Sequence, residues 1–442
     1  MTAPRAAIVF NASTGSDTAA SGLGPATAVT GTAAAHTGGS ASTTITLTNT
    51  PDLSGVQAGD LLWLDTPSGR QYSVIASADD GADTVTVDDS FTIDAGSPVN
   101  YAIGGKRATF DHADSRTLFS DYKAGWIVET ETDQTLNTSG LTLATTGLIV
   151  RGSSGHKVIT QTANTFHFTF TARVRFAALQ FANSNGTKTS ANALLGGSNG
   201  IVLAEDCIFG HATNTLRAGW RKNSGNDTGH QFVGCDFLAC TTAGIDHSLA
   251  GSIGVLVDAC LFKDCAIGIN CNSSNLTLVA LRSQFVNGTG DGIVWASSNF
   301  LTLIGNLFYG QTGDGVELTG AAPHGLIHNN IFASNGGYGL NGSGVTDPSR
   351  LIADYNDYHN NTSGARNVLA AGANDLALDP QFTNAAGLDF SIGTNLKAKG
   401  FPLGGTRVVG AGTGATYSYA DIGAAQRQEA GGAGGRACII GA

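Results

Sequence analysis

Three carboxylates, Asp291, Asp314 and Glu317, have the spacing in this chain that best suits acid–base chemistry. Asp291 and Asp314 stand in nearly identical surroundings, because each follows Thr-Gly and precedes a glycine and an aliphatic residue. If the two segments are successive turns of a repeat, their Cα atoms lie about one strand spacing, ~4.8 Å, apart, with Glu317 close by. A carboxylate pair ~5 to 5.5 Å apart serves a retaining glycosidase, and a wider pair serves an inverting one. The pattern therefore indicates glycoside hydrolysis as the chemistry to test here.

The same carboxylates also have a purely structural interpretation. Asp-Gly is a common turn sequence, because the short aspartate side chain accepts hydrogen bonds from nearby backbone N–H groups and glycine adopts a positive φ. A weak cation site between the two loops is a further alternative. We prefer the structural interpretation and predict no catalytic residue, no metal ligand and no cofactor, with Asp291, Asp314 and Glu317 kept as candidates.

Histidines and aromatic residues offer weaker candidates. Three histidines stand near predicted turns without a pattern typical of a base or a metal ligand, and we interpret them as surface residues: His247, His324 and His328. Three aromatic residues are candidates for a sugar-stacking strip or for caps on glycine-rich corners: Trp295, Tyr309 and Tyr338. The polygalacturonase combination of paired aspartates, Gly-His-Gly and Arg-Ile-Lys is absent, and no Lys/Arg cluster indicates a uronic-acid lyase.

These residues belong to a repeat that two features mark. An aromatic residue returns every 23 to 28 residues, at Phe181, Phe209, Phe237, Phe262, Phe285, Phe308, Phe332 and Tyr358. A glycine followed by an aliphatic residue returns six or seven residues later, at Gly244, Gly268, Gly292, Gly315 and Gly339. Two features with one period indicate stacked units, each of which buries its apolar face only against its neighbours.

The repeating unit is built from strands. Short apolar–polar alternations, such as residues 276–279 and 301–304, lie between clusters of Gly, Asn, Ser and Asp. No stretch carries the 3.6-residue stripe of an amphipathic helix. A period near 24 with about three short strands per turn predicts an all-β parallel β-helix, a solenoid in which equivalent residues stack in ladders.

One such ladder stands two residues before each aromatic. Its members are Cys207, Cys235, Cys260, Ser283, Asn306, Asn330 and Asn356. The later half resembles the asparagine ladder of right-handed parallel β-helices, in which an inward amide at a turn bonds to the coils above and below. Cys240 and Cys265 share a second register. Stacked thiols at this separation form disulfides or stay buried as small apolar groups, and we prefer free thiols. No cysteine pair has the two-residue spacing of a zinc site.

Composition excludes several classes of partner. Charged residues make up 13% of the chain, about half the average of ~25%, and the net charge is −11. A chain of this charge without a basic stripe is expected to repel nucleic acid. No segment approaches the ~18 apolar residues of a membrane span, and residues 1–20 lack the apolar core of a signal peptide.

Four segments follow from these patterns. Residues 1–38, rich in Ala, Thr, Gly and Ser, predict an extended N-terminal arm. Residues 39–105 alternate between apolar runs and turn signals, which predicts a small antiparallel β module that docks on partners. The parallel β-helix is predicted over 106–400, and a C-terminal cap and tail over 401–442.

Both ends of the chain resemble known families. The sequences Asp-Pro-Gln-Phe at 379–382, Asp-Phe-Ser-Ile at 389–392 and Asp-Ile-Gly-Ala at 421–424 resemble the closing signature of right-handed β-helix repeat proteins. Asn395-Leu-Lys stands where the family has Ser-Pro, which predicts a different loop at the cap. The leader at 10–22 and the junction at 101–109 are similar to the N-terminal part of β-helix proteins of tailed bacteriophages. The resemblance implies a right-handed solenoid, a virion surface component and a homotrimer.

The function expected from these features is structural. We expect a surface protein of a bacteriophage virion, as a tail spike, fibre or head decoration, made in the host cytoplasm and joined to other virion proteins by its N-terminal module and C-terminal tail. One alternative is a tail-spike depolymerase or a glycan-binding receptor protein, acting on a host glycan as a glycoside hydrolase or a lyase. A second is a secreted bacterial polysaccharide-active enzyme, which the missing signal peptide disfavours.

Overall fold

The computed structural model describes residues 8–10, 29–33, 41–48, 50–54, 56, 58, 60–66, 69–91, 93, 99–103, 109–111, 127–137, 139–144, 146–222, 227–247, 252–272, 275–396 and 399–400. Most of the predicted arm, the junction at 104–108 and the predicted tail at 401–442, with Cys438 and the Asp-Ile-Gly-Ala sequence, lie outside the described residues. The chain divides into two compact units: Met1–Thr162 with Val174–Leu179, and Ala163–Arg173 with Gln180–Ala442.

The described secondary structure consists of strands and two short 3₁₀ turns, Ala385–Gly387 and Thr394–Leu396. In chain order the strands are β1 (Ile8–Phe10), β2 (Val29–Ala33), β3 (Ser42–Thr46), β4 (Leu61–Thr66), β5 (Gly69–Asp79), β6 (Thr84–Phe91), β7 (Val99–Ile103), β8 (Ile127–Thr130), β9 (Gln134–Leu136), β10 (Leu141–Leu143), β11 (Leu148–Gly152), β12 (Lys157–Gln161), β13 (Phe168–Phe170), β14 (Val174–Ala177), β15 (Leu179–Asn183), β16 (Asn192–Gly196), β17 (Val202–Glu205), β18 (Ile208–Phe209), β19 (Ala218–Lys222), β20 (Asp227–Val233), β21 (Asp236–Leu238), β22 (Ala243–His247), β23 (Ser252–Asp258), β24 (Leu261–Lys263), β25 (Ile269–Cys271), β26 (Asn275–Leu281), β27 (Gln284–Val286), β28 (Ile293–Trp295), β29 (Phe300–Ile304), β30 (Leu307–Tyr309), β31 (Val316–Leu318), β32 (His324–His328), β33 (Ile331–Ala333), β34 (Tyr338–Asn341), β35 (Leu351–Asp354), β36 (Asp357–His359) and β37 (Gly364–Asn367).

The first unit contains a six-stranded sheet in the order β2-β7-β4-β5-β6-β3. Every pair in it is antiparallel. Alternating side chains from its strands, among them Ile45, Leu62, Ile75 and Val85, meet in one apolar core. The predicted small antiparallel β module is thereby confirmed.

The first unit also holds the earliest strands of the solenoid. β1 pairs with β8, β8 with β11 and β11 with β14, all in parallel, and β9 pairs in parallel with β12. The strand Ile8–Phe10 thus comes from within the predicted arm. Phe10 is fully buried and its ring meets that of Phe110 edge to face, with centroids 4.5 Å apart.

The second unit repeats three strands per coil in three parallel sheets. The first solenoid sheet runs β17-β20-β23-β26-β29-β32-β35, the second β13-β16-β19-β22-β25-β28-β31-β34-β37, and the third β15-β18-β21-β24-β27-β30-β33-β36. This confirms the predicted all-β parallel solenoid. Its right-handedness stays a prediction.

The marker aromatics form a continuous stack inside the solenoid. From Phe181 to Tyr358 every successive pair of rings is stacked, with centroids 4.5 to 5.2 Å apart. The third-sheet strands therefore share one register, since a slip of one residue would turn each ring outward.

The marker glycines share the period of the aromatics because the two types pack together. A Cβ on Gly268 would lie 2.5 Å from Cδ1 of Phe285, and one on Gly292 would lie 2.7 Å from Cδ1 of Phe308. Real Cβ atoms do not approach this closely, so each glycine leaves room for the ring of the next coil.

The predicted polar ladder is present and continuous. Asn306 Nδ2 donates to Asn330 Oδ1 over 3.0 Å, and Asn330 Nδ2 donates to Asn356 Oδ1 over 2.9 Å. Upstream, the N–H of Ser283 donates to Asn306 Oδ1, and the N–H of Cys260 donates to Ser283 Oγ. These bonds satisfy polar groups that burial removes from water.

The cysteines of this region are free thiols. Six are buried and unpaired as disulfides: Cys207, Cys235, Cys240, Cys260, Cys265 and Cys271. The preferred interpretation of the stacked cysteines as free thiols therefore agrees with the structure.

A C-terminal segment covers the outer face of the third sheet from β24 to β33. Residues 376–396, here called the strap, place Phe390, Ile392 and Leu396 against outward side chains such as Val286 and Leu307. The predicted closing-signature sequences at 379–382 and 389–392 both lie within the strap, so they supply the apolar residues of this cover.

Candidate functional site

The three candidate carboxylates meet at the start of the second sheet. Asp291 lies two residues before β28, Asp314 two residues before β31, and Glu317 within β31 between the buried Val316 and Leu318. Glu317 therefore points outward by strand alternation, beside the two aspartates.

Backbone N–H groups of the following coils donate hydrogen bonds to both aspartates. The N–H of Asp314 donates to Asp291 Oδ1 over 2.6 Å, and the N–H of Tyr338 donates to Asp314 Oδ1 over 2.5 Å. Asn341 Nδ2 donates to Asp314 Oδ2 over 2.7 Å. Each carboxylate thus acts as a hydrogen-bonding link between one coil and the next.

A glycine of the following coil makes room for each of the two aspartate carboxylates. A Cβ on Gly313 would lie 2.2 Å from Asp291 Oδ1, and one on Gly337 would lie 2.1 Å from Asp314 Oδ1. The repeated Thr-Gly-Asp-Gly sequence is therefore explained by stacking alone, without a substrate.

The electrostatics of the cluster favour protonation at two of the three groups. Burial raises the pKa of Asp291, and the charge of Asp314 raises it further, while the N–H of Asp314 opposes the shift. Burial also raises the pKa of Glu317, with further raising by Asp291 and Asp314 and an opposing hydrogen bond from Ser343. A raised pKa is a property that a general acid needs.

Sequence reasoning missed the amides that complete this cluster. Asn341 lies beside Glu317 in the register of β31 and β34, and Asn367 Nδ2 donates to Asn341 Oδ1 over 3.0 Å. Glu317, Asn341 and Asn367 hold the same outward position on three successive coils.

A second charged cluster on the same sheet was also missed. Arg217 Nη1 lies 3.1 Å from Asp246 Oδ2, Arg221 Nε lies 3.6 Å from the same oxygen, and Asn270 Nδ2 donates to Asp246 Oδ1 over 3.2 Å. Arg221, Asp246 and Asn270 share one register across β19, β22 and β25. The side chain of Asp246 is only 1% exposed, so its oxygens are taken up by protein partners.

The interpretation of His247 and His328 as surface histidines is wrong. His247 is fully buried and His328 is 7% exposed. His247 occupies an inward position of β22, next to Cys271 of β25, because the strand alternation continues to its last residue.

The sugar-stacking strip, one of the two alternatives for the aromatic residues, is not formed by two of its three members. Trp295 is fully buried inside the solenoid, and Tyr309 packs against Phe382 and Phe390 of the strap, with centroids 5.7 and 5.2 Å away. Tyr338 is half-buried beside the carboxylates. The three rings therefore form no common surface.

Several buried polar groups gather in one interior corner. The ring of His230 lies against Trp220, with centroids 4.6 Å apart, and Lys222 Nζ donates to the carbonyl of Gly197 over 2.6 Å. Burial lowers the pKa of His230 to about 3, with Lys222 and His247 adding to the shift. Burial lowers the pKa of His247 to about 4, against the raising effect of Asp246. Both histidines are therefore neutral at pH 7.

The described residues hold no group of three or more His, Cys, Asp or Glu side chains arranged for a metal ion. Nor does that part of the chain contain a helix with the length and apolarity required to cross a membrane.

Comparison with known proteins gives a distant likeness of shape. No protein-family model matches the chain, and no curated protein matches its sequence. Two solved structures of the catalytic domain of a GH87 alpha-1,3-glucanase, each a single-aspartate variant in complex with tetrasaccharides, are similar at 10% and 12% identity. Each likeness covers 79% of this chain and 88% of the other, with TM-scores of 0.35 and 0.25. At these TM-scores the likeness carries no functional argument.

Proposed function

We propose that this chain is a non-catalytic structural protein of a bacteriophage virion surface, in which the solenoid projects outward from the particle. The non-catalytic part rests on one observation: the two candidate aspartates are engaged in hydrogen bonds that join successive coils. Asp314 accepts hydrogen bonds at both oxygens, and Asp291 accepts one from the next coil. A base or nucleophile at Asp314 would have to give up bonds that hold successive coils together.

The virion part of the proposal is supported by the sequence. The leader and the junction at 101–109 are similar to the N-terminal part of tailed-phage β-helix proteins. On this proposal the chain is made in the host cytoplasm, assembles as a homotrimer, and contacts other virion proteins through the antiparallel module and residues 401–442.

Labelling of assembled particles tests this location. Antibody raised against the purified protein should decorate intact particles from the host in which the chain is produced, and the chain should be found in the purified particles at a fixed copy number. Its absence from purified particles would contradict the virion proposal, whatever the oligomeric state of the free protein.

A second candidate function is cleavage of a host glycan at the carboxylate cluster. The raised pKa values of Asp291 and Glu317 favour it, because a general acid needs a pKa above the ordinary value of a carboxyl group. This candidate describes a tail-spike depolymerase on the same scaffold.

Incubation with glycans separates the two functions. Purified protein mixed with capsular polysaccharide or lipopolysaccharide of the host should release no new reducing ends. The variants are the double change Asp291→Asn with Asp314→Asn, and the single change Glu317→Gln; the amides keep an acceptor oxygen for the backbone N–H groups. Asp347→Asn, a change at an exposed aspartate outside the cluster, is the matched control.

Release by the wild type and by Asp347→Asn, but not by the cluster variants, would establish the depolymerase function instead. General acid–base assistance typically contributes ~10² to 10⁴ in rate, so the loss would be plainly measurable. Release by all the variants would place an active site elsewhere and would also contradict the non-catalytic proposal.

A further inference from the structure

Two pairs of cysteines flank one pair of neighbouring strands in the third sheet. Cys235 stands directly before β21 and Cys240 two residues after it, and Cys260 and Cys265 hold the same places around β24. Because β21 and β24 pair in register, each cysteine of one coil lies opposite a cysteine of the next. These two coils therefore face each other with a pair of thiols at both ends of the strands.

The backbone has the same shape at the paired corners. Gly234 and Ala259, which precede the first pair, have φ values of 61° and 52°. Ala239 and Asp264, which precede the second pair, have φ values of 51° and 55°. Matching corners keep the paired Cα atoms about one strand spacing, ~4.8 Å, apart. This separation lies within the range of ~4.4 to 6.8 Å that disulfides span.

The paired thiols contact each other in the reduced protein. The N–H of Cys235 donates to Cys260 Sγ over 3.4 Å, and the two thiols share a hydrogen bond, as do those of Cys240 and Cys265. In later coils asparagines join the ladder through amide bonds of 2.9 to 3.0 Å. Thiols are weak donors and acceptors, so the ladder joins the coils of β21 and β24 less strongly.

We propose that Cys235 with Cys260, and Cys240 with Cys265, form two disulfides when the protein meets an oxidant such as hydrogen peroxide. The coils of β21 and β24 are then joined covalently at both corners, where the ladder lacks amides. The inference rests on the proposed function for the change of surroundings only: the chain is made with free thiols in a reducing cytoplasm, and particle release exposes it to oxidants.

The oxidation balances with one peroxide for each pair. Burial raises the pKa of Cys235, but hydrogen bonds from the thiols of Cys207 and Cys260 lower it below its ordinary value. The Cys235 thiolate attacks one oxygen of the peroxide, the O–O bond breaks, and a sulfenic acid forms while the other oxygen leaves as water with the thiol proton. Cys260 then attacks this sulfur, the S–S bond forms, and the hydroxyl leaves with the Cys260 proton as a second water.

The pairing has a competitor in the preceding coil. Cys207 also contacts Cys235, but the segment from 207 to 234 contains no second cysteine. A bridge at the second corner therefore draws the coil of β24, and not that of β18, toward Cys235. Parallel side chains hold the Cβ atoms ~4.8 Å apart, above the usual ~3.5 to 4.5 Å, so the bridges are strained and reductants should open them readily.

Peptide mapping of the purified full-length chain tests both bridges. The chain carries Cys438→Ser, so that only the mapped cysteines are counted. It is kept in reductant or exposed to hydrogen peroxide for hours to days, because buried thiols react only as the coils open locally. It is then unfolded, alkylated and digested. Cleavage after Phe237 and after Lys263 separates the two pairs.

The reduced sample should contain six alkylated cysteines. After peroxide, Cys207 and Cys271 should remain alkylated, and the other four should be recovered as the two linked peptide pairs. Reductant should then restore all six. Six alkylated cysteines after peroxide would overturn the inference, as would sulfinic acids in place of bridges. A bridge between Cys207 and Cys235 would overturn the pairing.

Thermal unfolding gives a second readout. Peroxide should raise the midpoint by ~3 °C or more, since a bridge from Cys235 to Cys260 closes a loop of 25 residues. The double variant Cys260→Ser with Cys265→Ser should fold, because serine holds the ladder position at Ser283, and should gain nothing from peroxide.

Cys271→Ser is the matched control, because Cys271 is a buried thiol whose register neighbours are His247 and Trp295. It should gain as much from peroxide as the wild type. An equal gain in the double variant would overturn the inference. All of these measurements use the purified chain, so they stand or fall independently of particle labelling, which tests the virion proposal.

Discussion

From Phe237 to Tyr358, each phasing aromatic of the solenoid packs against a glycine of the preceding coil. Phe285 is 1% exposed, stacks between Phe262 and Phe308 with centroids 4.7 Å from each, and lies where a side chain on Gly268 would stand. A ring and a missing Cβ therefore form one packing unit, which explains why two residue types separated in sequence keep a single period.

Phe285→Asp should be among the most destabilising single changes in the chain. It removes a buried ring and places an unpaired carboxylate inside the stack, at an expected cost of about 4 kcal/mol or more in the free energy of unfolding. Val368→Asp, at an exposed position, should change the same free energy by no more than ~0.5 kcal/mol. Denaturant unfolding measures both, and equal stability of Phe285→Asp and the wild type would contradict the inward stack.

Acid should weaken the interior corner around His247. Its folded pKa of about 4 lies below the ordinary 6.5, so the unfolded chain takes up a proton first as the pH falls. The stability from neutral His247 is therefore fully present above pH 6.5 and is lost as the pH falls toward 4, by an amount on the order of 3 kcal/mol. Asp246 favours the charge of His247, and Lys222 and His230 oppose it. Cys271, its neighbour in the register, has a pKa that burial raises, so its thiol carries no charge in this range.

His247→Leu tests this dependence, because leucine is the residue found at the equivalent inward position of β31, at Leu318. Thermal midpoints measured between pH 4 and 6.5 should fall less steeply for the variant than for the wild type. Parallel slopes would show that His247 does not titrate in the way its burial predicts.

At the scale of the elements, each coil turns at two corners in the left-handed backbone region. Ala259 and Tyr355 have φ values of 52° and 57°, and each precedes a member of the inward ladder. The second corner is equivalent, with Asp264 at 55° before Cys265 and Ser334 at 57° before Asn335. Positive φ costs a non-glycine residue free energy, which the ladder hydrogen bonds offset.

The sequence predicts the ladders and the stack because their residue types repeat, but it does not predict these corners. Corner residues include Ala259, Arg282 and Tyr355, which share no chemistry that favours positive φ. Prediction of the candidate site is limited in the same way, because a position is recognised in the sequence only when its residue type repeats from coil to coil. Asp291 and Asp314 were found because they repeat, whereas Asn341 and Asp246 were missed because different residue types fill their registers.

The strap should bind more weakly as the pH rises toward 7. Asp357 is fully buried beneath it, its Oδ1 accepts the N–H of Leu378 over 2.8 Å, and its Oδ2 has no hydrogen-bond partner. Burial raises the pKa of Asp357 to about 7, and the charge of Asp379 adds to the shift. Because the folded pKa lies above the ordinary 3.8, the docked strap is favoured most below pH 3.8, and that stability is lost as the pH rises through 7.

Asp357→Asn keeps the acceptor for Leu378 and removes the titration. Hydrogen exchange at the amides of Leu376 and Leu378, corrected for the intrinsic effect of pH, should show protection that falls toward pH 7 in the wild type and stays level in the variant. A wild type with level protection would contradict the assignment of the raised pKa to strap docking.

At the scale of the whole molecule, the chain combines a repetitive part with a part that has no repeat. In the second unit, ladders that recur from coil to coil set the register of the stacked strands, and each coil repeats the same contacts. The antiparallel module has its own apolar core and lacks the repeat, which frees its surface for a different role. On the proposed function, attachment to the particle through this module stays a prediction.

Replacing residues 29–103 with a short flexible linker should leave a folded solenoid that no longer joins the particle. The change removes β2 to β7 but keeps β1, because Phe10 is fully buried against Phe110 and Ile8–Phe10 pairs with β8. Deletion of the whole of residues 1–105 would remove that strand and expose the ring of Phe110, so loss of incorporation would then also follow from a damaged solenoid. Circular dichroism and the thermal midpoint check that the linker variant is folded, and quantitative labelling of purified particles measures incorporation. Val368→Glu, which leaves the module intact, should incorporate at the wild-type level. A folded linker variant found in particles at that same level would assign attachment to the solenoid or to residues 401–442 instead.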